Sequence, residues 1–71
     1  MKRGKVKFFN ERAGYGFIVP DEGGEDVFVH IRNVEGGGVL LTSGEVVQFK
    51  EQTSPRSGKR EALLVQVVGE A

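Results

Sequence analysis

Cysteine is absent from the 71 residues, which excludes a disulfide framework and any thiolate metal site. A reducing, cytoplasmic setting is the expectation that follows. Histidine occurs once, at His30, and with neither a second histidine nor a cysteine to share a cation, no metal centre is expected. Long apolar runs are missing too: the longest aliphatic stretch, Ala62-Leu63-Leu64-Val65, is far short of a bilayer span. Neither a membrane partner nor a secretory signal is expected, because Met1-Lys2-Arg3 is basic but no apolar core follows it. Lys2 in second position excludes N-myristoylation. A dominant charge sign is also lacking, with ten basic against ten acidic residues and a pI near 6.6.

Catalytic groupings are equally scarce. Ser43, Ser54 and Ser57 lack a nucleophile-elbow pattern, and the pairs Asp21-Glu22 and Glu25-Asp26 read as solvated turns rather than an acid–base dyad. Ser57-Gly58-Lys59-Arg60 has neither the upstream glycine nor the hydroxyl after lysine that a phosphate loop needs. A chain this short buries only about 60% of its surface on folding, which leaves little room for an enclosed active site. No enzymatic activity, cofactor or small-molecule substrate is expected.

What is present is distribution rather than excess. Lys2, Arg3, Lys5, Lys7 and Arg12 crowd the first dozen residues against Glu11 alone, while Asp21, Glu22, Glu25 and Asp26 sit apart in sequence. Arg56, Lys59 and Arg60 form a second basic group. A neutral molecule can carry a positive face in this way.

Eleven glycines, about twice the usual ~7%, punctuate the chain into short elements. Five segments rich in Val, Ile, Phe or Tyr, near residues 3–10, 15–20, 26–31, 45–51 and 61–68, alternate with stretches of turn chemistry. Arg60-Glu61-Ala62-Leu63-Leu64 has some helical character, but Val65, Val67 and Val68 favour a strand. The pattern predicts one domain, residues 1–71, folded as an all-β, five-stranded antiparallel barrel. Leu63-Leu64-Val65 and Val46-Val47 are sticky edges if left unpaired, which keeps an oligomer open, with a monomer favoured.

Strand alternation places Tyr15 and Phe17 on one face, with Phe28 and His30 on the matching face of the next strand. Ile18, Val27, Val29 and Ile31 suffice for the core, so the aromatic set is surplus to it. If the two segments pair as a hairpin, the rings become neighbours on the outside of the sheet, and Gly14 and Gly16 clear the surface beside Tyr15. Such a surface stacks nucleobases, and only unpaired strands offer a free base face. Lys5 and Lys7 are placed to meet phosphates, while Phe9 and Phe49 read as core.

Lys5-Val6-Lys7-Phe8-Phe9-Asn10, Gly14-Tyr15-Gly16-Phe17-Ile18 and Asp26-Val27-Phe28-Val29-His30-Ile31 resemble, in order and spacing, the opening half of bacterial cold-shock proteins. The second and third segments are similar to that family's two ribonucleoprotein motifs, and the likeness continues more weakly through Gly44-Glu45-Val46-Val47-Gln48-Phe49. The resemblance implies a five-stranded oligonucleotide-binding (OB) barrel that binds single-stranded RNA and DNA and acts as an RNA chaperone, with influence on transcription termination and translation. It implies a stacking platform of Phe8, Tyr15, Phe17, Phe28 and His30, with Lys7 and Asn10 as polar neighbours and Arg56 as a rim contact.

Four positions depart from the family pattern: Phe8 replaces a usual Trp, Ala13 a Lys, Ile31 an aromatic and Val39 a Phe. Fewer stacked bases and weaker binding than in a full-aromatic relative are the expectation. The period-two rule also groups Phe8 with the buried Val6, so placing its ring on the binding face requires a bulge near Lys7 to Phe9. Two other readings compete. An RNA-recognition motif shares the Gly-aromatic-Gly-Phe signature but needs two helices for which the chain has no room. A protein-interaction barrel would use the same rings as hot spots.

Overall fold

A computed structural model describes residues 1–36 and 40–70. The strands are β1 (Lys2–Asn10), β2 (Tyr15–Pro20), β3 (Val27–His30), β4 (Glu45–Thr53) and β5 (Arg60–Glu70), with one 3-10 turn at Ile31–Asn33. They close into a barrel in the order β1-β2-β3-β5-β4, with β4 pairing back onto β1. The segment from residue 60 is strand throughout, in keeping with its valines.

The expected all-antiparallel pairing needs one correction. Four neighbouring pairs are antiparallel, but β3 and β5 run parallel, with Phe28 opposite Glu61 and Val29 opposite Ala62. Topology requires this: strand directions cannot alternate all the way round a ring with an odd number of members, so at least one neighbouring pair must be parallel.

The interior is filled by Val6, Ile18, Val27, Val29, Val34, Leu41, Val47, Phe49, Ala62 and Val65, contributed by every strand and by the β3–β4 connection. Phe49 is fully buried and Phe9 packs against the core from its margin, as their sequence context suggested. Ile31 is different. It is half-buried outside this core, because the chain leaves the strand conformation at His30 and turns through Ile31–Asn33. Val34 and Leu41, from the β3–β4 connection, join the core instead.

Gly16 also serves a purpose other than the one its position suggested. It faces inward, opposite Phe9 and Val29, and a Cβ there would stand 2.8 Å from Phe9 Cα and 2.8 Å from Phe9 Cδ2. The absent side chain lets Phe9 close over the barrel rather than clearing the outer surface. Gly14 (φ +76°) is a turn residue whose N–H donates to Asn10 O at 2.8 Å and whose O accepts from Ile31 N at 2.8 Å, tying the β1–β2 loop to the end of β3.

The two apolar segments suspected as sticky edges are both paired. Val46 and Val47 lie opposite β5, and Leu63 lies opposite Lys50, so the closed barrel leaves neither as a free edge. A register shift between Gln48 and Lys50 accommodates Leu64, which adopts φ +52° and is 52% exposed.

Candidate nucleic-acid interface

On β1 the register jumps between Val6, opposite Ile18, and Phe8, opposite Phe17. Lys7 is the extra residue of this bulge. It resets the alternation so that Val6 stays in the core while Phe8 turns outward, 42% exposed. On β2 and β3 no such device is needed: Tyr15 lies opposite His30 and Phe17 opposite Phe28, all half-buried on the outer face, while Ile18, Val27 and Val29 between them are sealed inside.

The four rings form one contiguous patch. Centroid separations are 5.5 Å for Phe8–Phe17, 5.8 Å for Phe17–Phe28, 5.7 Å for Tyr15–Phe28 and 6.4 Å for Tyr15–Phe17. Tyr15 and Phe28 lie nearly parallel at 28°, whereas Phe17 presents its edge to both Tyr15 and Phe28. Edge contacts of this kind hold each ring while leaving part of its face open. His30 closes the patch at the Tyr15 corner, and its Nδ1 accepts the Arg32 N–H at 3.2 Å, fixing the imidazole against the 3-10 turn.

The polar rim is arranged less freely than the sequence implied. Asn10 Oδ1 accepts from Arg12 N at 3.1 Å and Ala13 N at 3.0 Å, so its carbonyl shapes the β1–β2 loop. Lys5 projects outward between Val19 and Val46. Lys7 Nζ reaches across β2 to Asp26 Oδ2 at 3.0 Å. The acids expected to sit apart therefore come back to the basic strand, since Lys2 also meets Glu22 at 2.7 Å and Glu51 at 3.3 Å. That hydrogen bond to Glu22 raises Lys2 above its ordinary value and holds the Glu22 carboxyl below its own.

Arg56 is exposed in the β4–β5 loop, and its N–H donates to Ser54 Oγ at 3.3 Å. The residues that share a groove with the aromatic patch lie on either side of Arg56 in sequence. Ser54, Ser57, Lys59, Arg60 and Glu61 join Phe17 and Phe28 around an open groove of about 270 Å³. Lys59 and Arg60 stood out as charge, but nothing in the sequence placed them beside Phe28; the parallel β3–β5 pairing does so. Ile31 packs beside Gly14 rather than extending the ring row, and Val39 lies outside the described residues.

Comparison with known proteins settles the family. The sequence profile of the 'Cold-shock' DNA-binding domain matches residues 2–68. The chain belongs to the cold-shock domain family. Within it, the chain is 40% identical over 72 aligned positions to the cold shock-like protein CspD of Escherichia coli K12, covering all of this chain and 96% of that one. It is 49% identical over 51 residues to the cold shock-like protein CspC of Buchnera aphidicola, covering 70% of this chain and 74% of that one. Among solved structures, Drosophila Unr CSD456 superposes on 94% of this chain and 26% of its own length, with a TM-score of 0.77 at 18% identity. That likeness speaks for the barrel. Family membership makes the cold-shock-type nucleic-acid-binding function that of this chain as well, and the outward ring patch is consistent with it.

Proposed function

We propose that the protein binds unpaired RNA and DNA strands by stacking successive bases on Phe8, Tyr15, Phe17, Phe28 and His30. The single observation that carries this reading is the contiguous patch of four rings on the outer face of a barrel whose core is complete without them. Each stacked base contributes roughly 1–3 kcal/mol whatever its identity, which suits a binder of broad sequence range. Lys5, Lys7 and Arg56 supply positive charge at the rim. Asn10 holds the loop beside the platform. Lys7 exchanges Asp26 for a phosphate when a strand arrives.

A strand stacked on this surface cannot pair with its complement, so binding shifts the equilibrium of any hairpin towards the open form. This is the physical content of RNA-chaperone action, and it needs neither a cofactor nor a chemical step. We place this activity in a one-domain, cytoplasmic, monomeric protein, with the closed barrel covering the strand edges as the argument for the monomer.

The test is a titration of a fluorescent single-stranded hexamer and its duplex at two ionic strengths. The reading expects the single strand to be preferred, and log K to fall with log salt by about 0.7 per phosphate contacted. A protein-interaction barrel using the same rings would show neither preference nor salt dependence.

A further inference from the structure

The groove beside the ring patch contains a carboxylate whose chemistry the stacking function does not use. Glu61 is the first residue of β5 to pair with β3, directly opposite Phe28, and Ala62 after it is buried, so the Glu61 carboxyl lies on the outer face with the rings. Across the other strand boundary it lies opposite Gln52, whose Nε2 donates to Glu61 Oε1 at 2.6 Å. The carboxylate is thus anchored through one oxygen at the wall of the groove that Phe17 and Phe28 floor. No partner for Oε2 is found among the described residues. Lys59 and Arg60 line the same groove and supply positive charge there, although Arg60 Nε also lies 3.8 Å from Glu51 Oε2.

An ionised carboxylate only accepts hydrogen bonds. A base lying on Phe28 turns its edge towards Glu61, and the four bases differ sharply in what they show there. Guanine presents N1–H and an N2 amino hydrogen side by side, matching a carboxylate in two charge-assisted bonds. Adenine and cytosine each offer one amino group beside an acceptor. Uracil and thymine offer a single N3–H between two carbonyl oxygens, which the carboxylate repels.

We propose that Glu61 makes this groove a base-selective subsite that prefers guanine, then the other amino-bearing bases, over uracil and thymine. The proposal rests on the stacking function proposed above and adds a preference that stacking alone does not supply. A well-formed bidentate contact to a base discriminates by roughly tenfold or more. The remaining positions of the platform stay permissive, so selectivity is confined to one nucleotide of the bound strand.

The experiment compares heptathymidine with seven variants, each carrying one guanine, by fluorescence titration against the wild-type protein and Glu61→Gln. Guanine at one position is expected to tighten wild-type binding by about tenfold. In Glu61→Gln that gain should fall below about twofold, even if all affinities rise together through loss of a negative charge. A thermal melt confirms that the variant is folded. If heptathymidine binds wild-type protein but no guanine position gives a gain, or the gain survives in Glu61→Gln, the subsite is refuted while the stacking function stands. If no oligonucleotide binds, both fall.

Discussion

Phe8 stands directly opposite Phe17, ring centroids 5.5 Å apart, because Lys7 is left out of the β1–β2 ladder. The bulge converts what simple alternation would make a core residue into the most exposed ring of the patch. Phe8→Ala is therefore expected to weaken single-strand affinity by about 1–3 kcal/mol. Its effect on stability should be small, and a thermal melt beside an oligonucleotide titration checks both. In a double-mutant cycle with Phe17→Ala, the two should be coupled by roughly 0.5–1.5 kcal/mol, the amount that such ring pairs add beyond buried area.

Phe49 is the opposite case. It is wholly enclosed by the barrel, and Phe49→Ala is expected to cost about 3–5 kcal/mol of folding free energy through lost burial and the cavity left behind. Gly16→Ala acts by overfilling. Its new Cβ would press first on the Phe8 carbonyl oxygen and then on Phe9 Cα at 2.8 Å, backbone that has no room to retreat, and about 1–3 kcal/mol of destabilisation is expected. Chemical denaturation of the two variants tests both claims; a Gly16→Ala protein as stable as the parent would mean that the β1 backbone does not approach Gly16 this closely.

These contrasts mark how far the sequence could be read. Strand positions were legible because period-two alternation and glycine punctuation are local signals, and the Phe17–Phe28 and Tyr15–His30 neighbours followed from a single hairpin. The bulge at Lys7 was legible only as a conflict between alternation and family resemblance. Ile31 continues the aliphatic alternation of Val27 and Val29, and nothing in its identity announces that the backbone turns into a 3-10 helix at that residue. The groove was hidden for a different reason. Phe28 and Glu61 are far apart in sequence and meet only through the parallel pair that an odd-stranded barrel imposes. The Lys7–Asp26 and Lys2–Glu22 pairs likewise depend on where the β2–β3 turn folds back.

The Lys2–Glu22 pair gives a pH dependence of known sign. Glu22 is held below its ordinary range by Lys2, so its contribution is present above the unfolded carboxylate value and is lost as pH falls through the lower folded value. Lys2 is raised, chiefly by Glu22, so its contribution is complete below the unfolded ammonium value and disappears as pH rises through the higher folded one. Melting temperatures of wild type and Lys2→Met should accordingly differ most at neutral pH and converge at both extremes. Both side chains are well exposed, so the gap should be small and should close in high salt. A gap that persists at acid pH would assign Lys2 a role other than this pairing.

The Lys7–Asp26 pair bears on binding rather than on folding. Asp26 lies 3.0 Å from the ammonium proposed to meet a phosphate, so an incoming strand has to displace it. Asp26→Asn should free Lys7, raise affinity at low salt and steepen the salt slope by up to about 0.7, the value of one additional phosphate contact. Lys7→Met should weaken all sequences alike. An Asp26→Asn protein that binds more weakly at every ionic strength would show that the carboxylate itself contacts the strand.

His30 provides a test at the level of a single proton. Its Nδ1 accepts the Arg32 N–H, which a neutral imidazole can do only if the ring proton sits on Nε2. The free ring edge at the Tyr15 corner of the patch then presents a donor, suited to carbonyl oxygens of a stacked or adjacent base. Nitrogen-15 NMR of the single histidine at alkaline pH should show the Nε2–H tautomer as the dominant form. Arg32→Pro removes the N–H that enforces it, and the spectrum should then move towards a tautomer mixture while the melting temperature reports how much the 3-10 turn has suffered. A wild-type spectrum dominated by Nδ1–H would overturn the assignment, because the Arg32 N–H and a ring N–H would then point at one another.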